Sequence, residues 1–334
     1  MKKLAFAMVA AIVGCLLLSI VPVVSQERSD NAVQAPLAGV VSSNLNPLQI
    51  AQLHWYQANR TTSFPAGNSP FGVAFDGANM WVANWSANKV TKLRANDGAN
   101  LGTFTVGSRP TTLAYDGANM WVANSNSNNV TKLRGRDGVV LGTFPVGADP
   151  TGICFDGANM WVTNVLTNTV TKLRAIDGAL MGTFTVGGSN AAACAYDGVN
   201  IWVANNGSAN VSKLRASDGA LLGTFATGRN PSGVAFDGTN VWTSNFGTNN
   251  VTKLRASDGA VLGTFAAGLG PNGICFDGSH IWVTDFNSTT VTELLAATGA
   301  LVGTFTVGVE PNEAAFDGVH IWVTNFGGTT ISKL

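Results

Sequence analysis

FDGANMWVANWSANKVTKLRANDGANLGTFTVG, residues 75 to 107, is a sentence that this chain keeps rewriting. Tryptophan marks the copies at 81, 121, 161, 202, 242, 282 and 322, so the period is 40 residues with a single interval of 41. Asp76, Asp116, Asp156, Asp197, Asp237, Asp277 and Asp317 keep the same step, each followed by glycine. A repeat this long and this faithful belongs to architectures built from one supersecondary unit used many times.

Each copy holds four short runs of strand-forming residues, GVAF, IWVAN, VTKLR and LGTF-x-V in composite. They are separated by D-G-x-N, by a polar Asn/Ser/Thr/Gly loop, by x-D-G-A and by V-G-x-x-P. Asp-Gly suits tight turns because glycine accepts positive φ and the aspartate can bond the backbone. No apolar run of helical period appears beyond the first residues. The pattern predicts an all-β chain of seven four-stranded antiparallel units. The ends decide between a stack and a ring. The last copy stops after its third strand at Ile331–Leu334, while Thr61–Gly67 stands in the register of a fourth strand ahead of the first copy. A ring closed by pairing these ends removes an exposed edge, whereas a solenoid would want polar caps. We therefore expect a seven-bladed β-propeller over residues 61–334, closed by an N-terminal outer strand. Leu48–Leu53 also resembles a third strand, packing outside the ring or competing with Ile331–Leu334.

The 19 basic and 19 acidic residues among 334 offer no basic stripe, which sets nucleic acid aside as a partner. Residues 1–25 read as a signal peptide: Lys2 and Lys3, an apolar run, then Val23 and Ser25 before a cut at Gln26. The alternatives are a lipoprotein signal ending before Cys15, from Ile12-Val13-Gly14-Cys15, and an uncleaved anchor. All three imply an exported protein, periplasmic or extracellular, with a lipid anchor in the second. Residues 26–60 form an extension. Cys154, Cys194 and Cys275 are odd in number and stand where other copies carry small apolar residues. They read as core, with pairing of Cys154 and Cys194 left open.

On a propeller, repeated residues are framework, and departures from the repeat are where function can lie. The D-G-x-N and x-D-G-A turns share one rim, here called the turn rim; the remaining loops share the opposite, loop rim. The Asn that ends each tryptophan strand is expected to bond the following loop. The repeated Lys and Arg are expected to meet the turn aspartates. Trp85, Phe246, Phe286 and Phe326 put aromatics on the loop rim in four consecutive blades, a face for a protein, glycan or small apolar molecule. Arg109 and Arg229 are basic departures in equivalent loops. Asp285, Glu310 and Glu313 are acidic departures in blades six and seven, a candidate set for calcium. His280 and His320 replace the Asn of D-G-x-N on the turn rim, apart from those acids, and no nucleophile elbow or four-ligand zinc spacing is present.

The D-G-x-x-I-W-V-T-N run, with V-G-x-x-P between copies, resembles the bacterial YVTN-type repeat of the NHL and streptogramin-lyase-like propellers. The resemblance covers residues 61–334 and implies the propeller. Its enzymatic branch, the virginiamycin B lyase family, implies opening of a cyclic ester by elimination, with magnesium, histidine and glutamate near the funnel. With histidines on one rim and the three acids on the other, no catalytic residue is assigned. The expectation is a monomeric binding or scaffold module rather than an enzyme. The alternative is a streptogramin-lyase-like or hydrolytic enzyme acting in the central funnel.

Overall fold

The computed structural model describes residues 62–334. The signal sequence with its Cys15 alternative, the extension at 26–60 and its Leu48–Leu53 run lie outside the described residues. Twenty-eight strands form seven four-stranded antiparallel sheets, one per repeat. Blade one runs Pro70–Phe75, Asn79–Asn84, Lys89–Arg94 and Asn100–Thr105 from the inner strand to the outer. Blade six runs Pro271–Phe276, His280–Asp285, Thr290–Leu295 and Leu301–Thr306 in the same order. Blade seven takes its outer strand from the other end of the described chain: Thr62–Pro65 pairs with Thr330–Lys333, with Phe64 opposite Ile331. The expected closure is present. Among the described residues no helix is long and apolar enough to cross a membrane.

The strands differ in what covers them. Tryptophan strands are buried along both faces, since each is sandwiched between neighbouring blades. Outer strands alternate exposed and half-buried, because one face meets solvent. The core is a series of inter-blade layers: Trp81, Ala83 and Val90 of blade one pack on Leu113, Met120, Val122 and Leu133 of blade two. Phe104 stacks on Trp81 with ring centroids 5.6 Å apart. Burying each such ring contributes on the order of 2 kcal/mol or more.

The repeated aspartate ties this core to the turn. Asp76 Oδ1 accepts the N–H groups of Ala78 and Asn79, and Oδ2 accepts the buried Trp81 indole N–H at 2.7 Å. Gly77, at φ +95°, supplies the turn conformation that a side chain would strain. The strand-ending Asn behaves as expected, Asn124 Nδ2 donating to Asn129 Oδ1 and Thr131 Oγ1. The arginines do meet turn aspartates, though within one hairpin, as in Arg174 with Asp177 at 2.6 Å. The lysines cross to the next blade and donate chiefly to backbone carbonyls.

Candidate functional site

The turn rim carries the same four-residue device in most blades. In blade five, Asp237 binds Asn240 and the Trp242 indole, while Lys253 lies over the Trp242 ring at 4.9 Å. Its ammonium donates to the Ala296 and Ala297 carbonyls of blade six at 2.7 and 3.2 Å. Equivalent lysine-to-carbonyl bonds run from Lys92, Lys132, Lys172, Lys213 and Lys333. Antiparallel register creates the device, because the lysine sits opposite the tryptophan on the adjacent strand.

Blade six is built otherwise. Register again sets residue 293 opposite Trp282, but it is glutamate, and the Asn position holds His280. The imidazole Nδ1 lies 3.3 Å from Asp277 Oδ2 and 3.5 Å from Glu293 Oε1. One ligand atom from each of Asp277, His280 and Glu293 falls within 4.8 Å of the others, a spacing that can hold a metal ion. Trp282 is 9% exposed where the other six repeat tryptophans are 0%.

Electrostatics separate the two carboxyls. Burial works against ionisation of Asp277, but the Trp282 indole, the N–H groups of His280 and Ser279, and the His280 ring outweigh it and hold the group below its ordinary value. Burial raises Glu293; His280 opposes the shift and Asp277 adds to it. With Nδ1 turned to the carboxylates, the other ring nitrogen faces away from them.

The expected site residues separate into three places. On the loop rim the aromatics do adjoin: centroids run Phe246–Phe286 at 6.2 Å, Phe286–Phe326 at 6.1 Å and Phe326–Trp85 at 6.0 Å. Arg109 lies 4.5 Å over Trp85, and the Arg229 carbonyl accepts the Gly247 N–H beside Phe246. Asp285 is fully buried beneath its loop, its oxygens taken by the Gly268 N–H and the Thr290 and Thr292 hydroxyls. Glu310 stays in its loop at φ +52°, its carbonyl accepting the Phe326 N–H. Glu313 turns into the central channel, among residues from all seven blades. Among the described residues, these three acids do not come together as a ligand group.

Sequence reasoning noted His280 as a departure but compared it with Asp285, at the far end of one strand. The available signal was lateral: two departures in one blade, on adjacent antiparallel strands, two residues apart in register. The thiols of Cys154, Cys194 and Cys275 are free. Burial first, and then neighbouring Cys194, raise Cys154.

No family model and no curated protein matches the chain. Solved structures do. Kuenenia stuttgartiensis hydrazine synthase superposes with a TM-score of 0.72 at 18% identity, over 80% of this chain and 96% of that one. A streptogramin B lyase gives 0.71 at 18% identity, over 82% and 96%. A catalytically inactive histidine-to-alanine variant of Staphylococcus aureus virginiamycin B lyase, with quinupristin, gives 0.70 at 18% identity, over 82% and 98%. At these identities the likeness is one of fold. The expectation of a non-enzymatic module is corrected by the cluster itself: His280 lies apart from Asp285, Glu310 and Glu313, but two other carboxylates, Asp277 and Glu293, stand at its Nδ1. The chain is a seven-bladed propeller, of the fold shared with these lyases, carrying a two-carboxylate, one-imidazole cluster on its turn rim.

Proposed function

We propose that the protein is an enzyme of lyase or hydrolytic type whose chemistry occurs on the turn rim between blades six and seven. The observation that carries this is the Asp277–His280–Glu293 cluster. The donor set of two carboxylates and an imidazole fits a divalent first-row ion, with water completing the coordination; calcium, expected for Asp285, Glu310 and Glu313, prefers an all-oxygen set. A bound ion would supply Lewis-acid polarisation of a carbonyl oxygen. The chain's own residues would hold it through the Asp277 and Glu293 carboxylates and His280 Nδ1, and the outward Nε2–H of His280 would then donate a hydrogen bond to substrate or water. A groove of about 470 Å³ lined by Asn240, Lys253, Ser279 and Leu295 lies on the same rim, between blades five and six.

Manganese binding followed by electron paramagnetic resonance tests the site, with quinupristin as a probe substrate read by mass spectrometry. Ring opening at unchanged mass indicates elimination; a gain of one water indicates hydrolysis. Binding and turnover that survive His280→Asn with Glu293→Lys would sink the reading. We place this activity outside the cytoplasm on the strength of residues 1–25, and the mass of the mature protein's N-terminus checks that. The unbroken run of loop-rim aromatics supports a second role, docking a protein, glycan or apolar molecule against Trp85, Phe246, Phe286 and Phe326, with Arg109 and Arg229 beside it. Loss of glycan-array or partner binding in Phe286→Ala with Phe326→Ala would support it, and unchanged binding would remove it.

A further inference from the structure

The central channel breaks the repeat at one place. At the position of Glu313 the other inner strands carry Gly72, Thr112, Gly152, Ala193, Gly233 and Gly273. Small residues suit this position because neighbouring inner strands approach closely: a Cβ on Gly273 would stand 2.6 Å from the Asn312 carbonyl oxygen. Blade seven alone places a long charged side chain there. Its backbone is anchored, the Glu313 N–H donating to Thr324 Oγ1 at 3.0 Å while that hydroxyl donates to the Phe71 carbonyl at 2.8 Å. The carboxylate lines a cavity of about 100 Å³ whose other walls include Val73, Leu113, Ile153, Val234 and Ile274. Glycine would serve the fold with less desolvation, so the carboxylate is unexplained by packing.

We propose that this channel binds a small alkylammonium cation, its charge against the Glu313 carboxylate and its hydrocarbon part against the apolar ring. A divalent ion is disfavoured because Glu313 is the one carboxylate among the residues that line the cavity, too few for a hard cation that takes several charged oxygens. The cavity lies between the roughly 30 Å³ of a water molecule and the roughly 150 Å³ that admits benzene, which suits a chain of about three to five heavy atoms. Burial pushes Glu313 up to about 7, against the lowering effect of the Ala314 N–H. The titratable groups facing it are thiols: Cys275 on the adjoining inner strand, itself pushed up by burial, and Cys194 in the channel wall. Only the ionised carboxylate pairs with ammonium, so affinity rises with pH through the neutral range. This site is separate from the turn-rim cluster and does not depend on its function.

Calorimetric titration of the full chain with n-propylammonium tests the proposal. Binding is expected at about pH 8, about tenfold weaker at about pH 6, and lost in Glu313→Gln and in Glu313→Gly. It should persist in His280→Asn with Glu293→Lys, which separates it from the turn rim. Glu313→Gly, which restores the repeat, should unfold at or above the wild-type midpoint, so loss of binding there is not loss of fold. Absence of binding to the wild type, equal binding to Glu313→Gln, equal binding of n-propanol, or preference for potassium over the amine would each overturn it.

Discussion

Blades five and six present the same backbone with opposite chemistry at the turn rim. In blade five a buried ammonium, Lys253, bridges to the next blade's hairpin and seals the Trp242 layer. In blade six a carboxylate, Glu293, takes the lysine's place opposite the tryptophan, and His280 joins it. The pair shows how a propeller converts a structural fastening into a candidate metal site without altering a strand. Two side chains change.

The strongest test of this contrast is Lys253→Glu, which would set a buried carboxylate against the Ala296 and Ala297 carbonyls. A loss of about 3–5 kcal/mol is expected by chemical denaturation. The reverse change, Glu293→Lys, should cost little, and equal losses would erase the distinction. Next in size, Glu293→Lys combined with His280→Asn should lower manganese affinity by about 100-fold or more, above the roughly 10–100-fold typical of outer-shell changes.

The pH dependence of that affinity is a sharper probe. Glu293 is raised above its ordinary 4.5, so protons should displace the ion at a pH above that value as acidity increases. Its folded carboxyl also holds a proton more firmly than the unfolded one, so Glu293 opposes folding above its unfolded value and that opposition is relieved as pH falls through the folded one. Asp237 and Asp277 have the opposite sign. Both are held below 3.8, so each stabilises the fold above that value and loses the contribution as pH falls through its lower folded value. Denaturation across the acid range checks both signs, with Glu293→Gln removing the first. The smallest effect separates the two tryptophans. Trp242→Phe should cost about 1–3 kcal/mol through the lost indole bond to Asp237 and the lost ring area. Trp282→Phe should cost less, because solvent at the blade six interface can reach Asp277; equal unfolding midpoints would show that the opening is immaterial.

Much of this molecule could be read before folding it. The period of 40, the four strand-turn alternations and the register of Thr61–Gly67 against a missing last strand together required a closed ring, and Phe64 opposite Ile331 is that closure. The loop-rim aromatics were legible as neighbours because consecutive blades must adjoin. The acids were not. Asp285 stands in the strand-ending Asn position and inherits its buried bonds to Thr290 and Thr292. Glu313 lies within a register shift between Pro311 and Ala314 at the start of the inner strand, and it lines the channel. A linear reading assigns such residues to a rim; it cannot tell which way a bulged strand presents them.

By itself, then, the sequence determined the number of blades, their order and the way the ring shuts, since these follow from periodicity and from the cost of an open edge. Only the tertiary structure decided what each departure from the repeat confronts. Side chains at a blade interface answer to the neighbouring blade as well as to their own strand. That is why Lys253 meets the Ala296 carbonyl of the next blade, and why Glu313 faces six other inner strands instead of a loop.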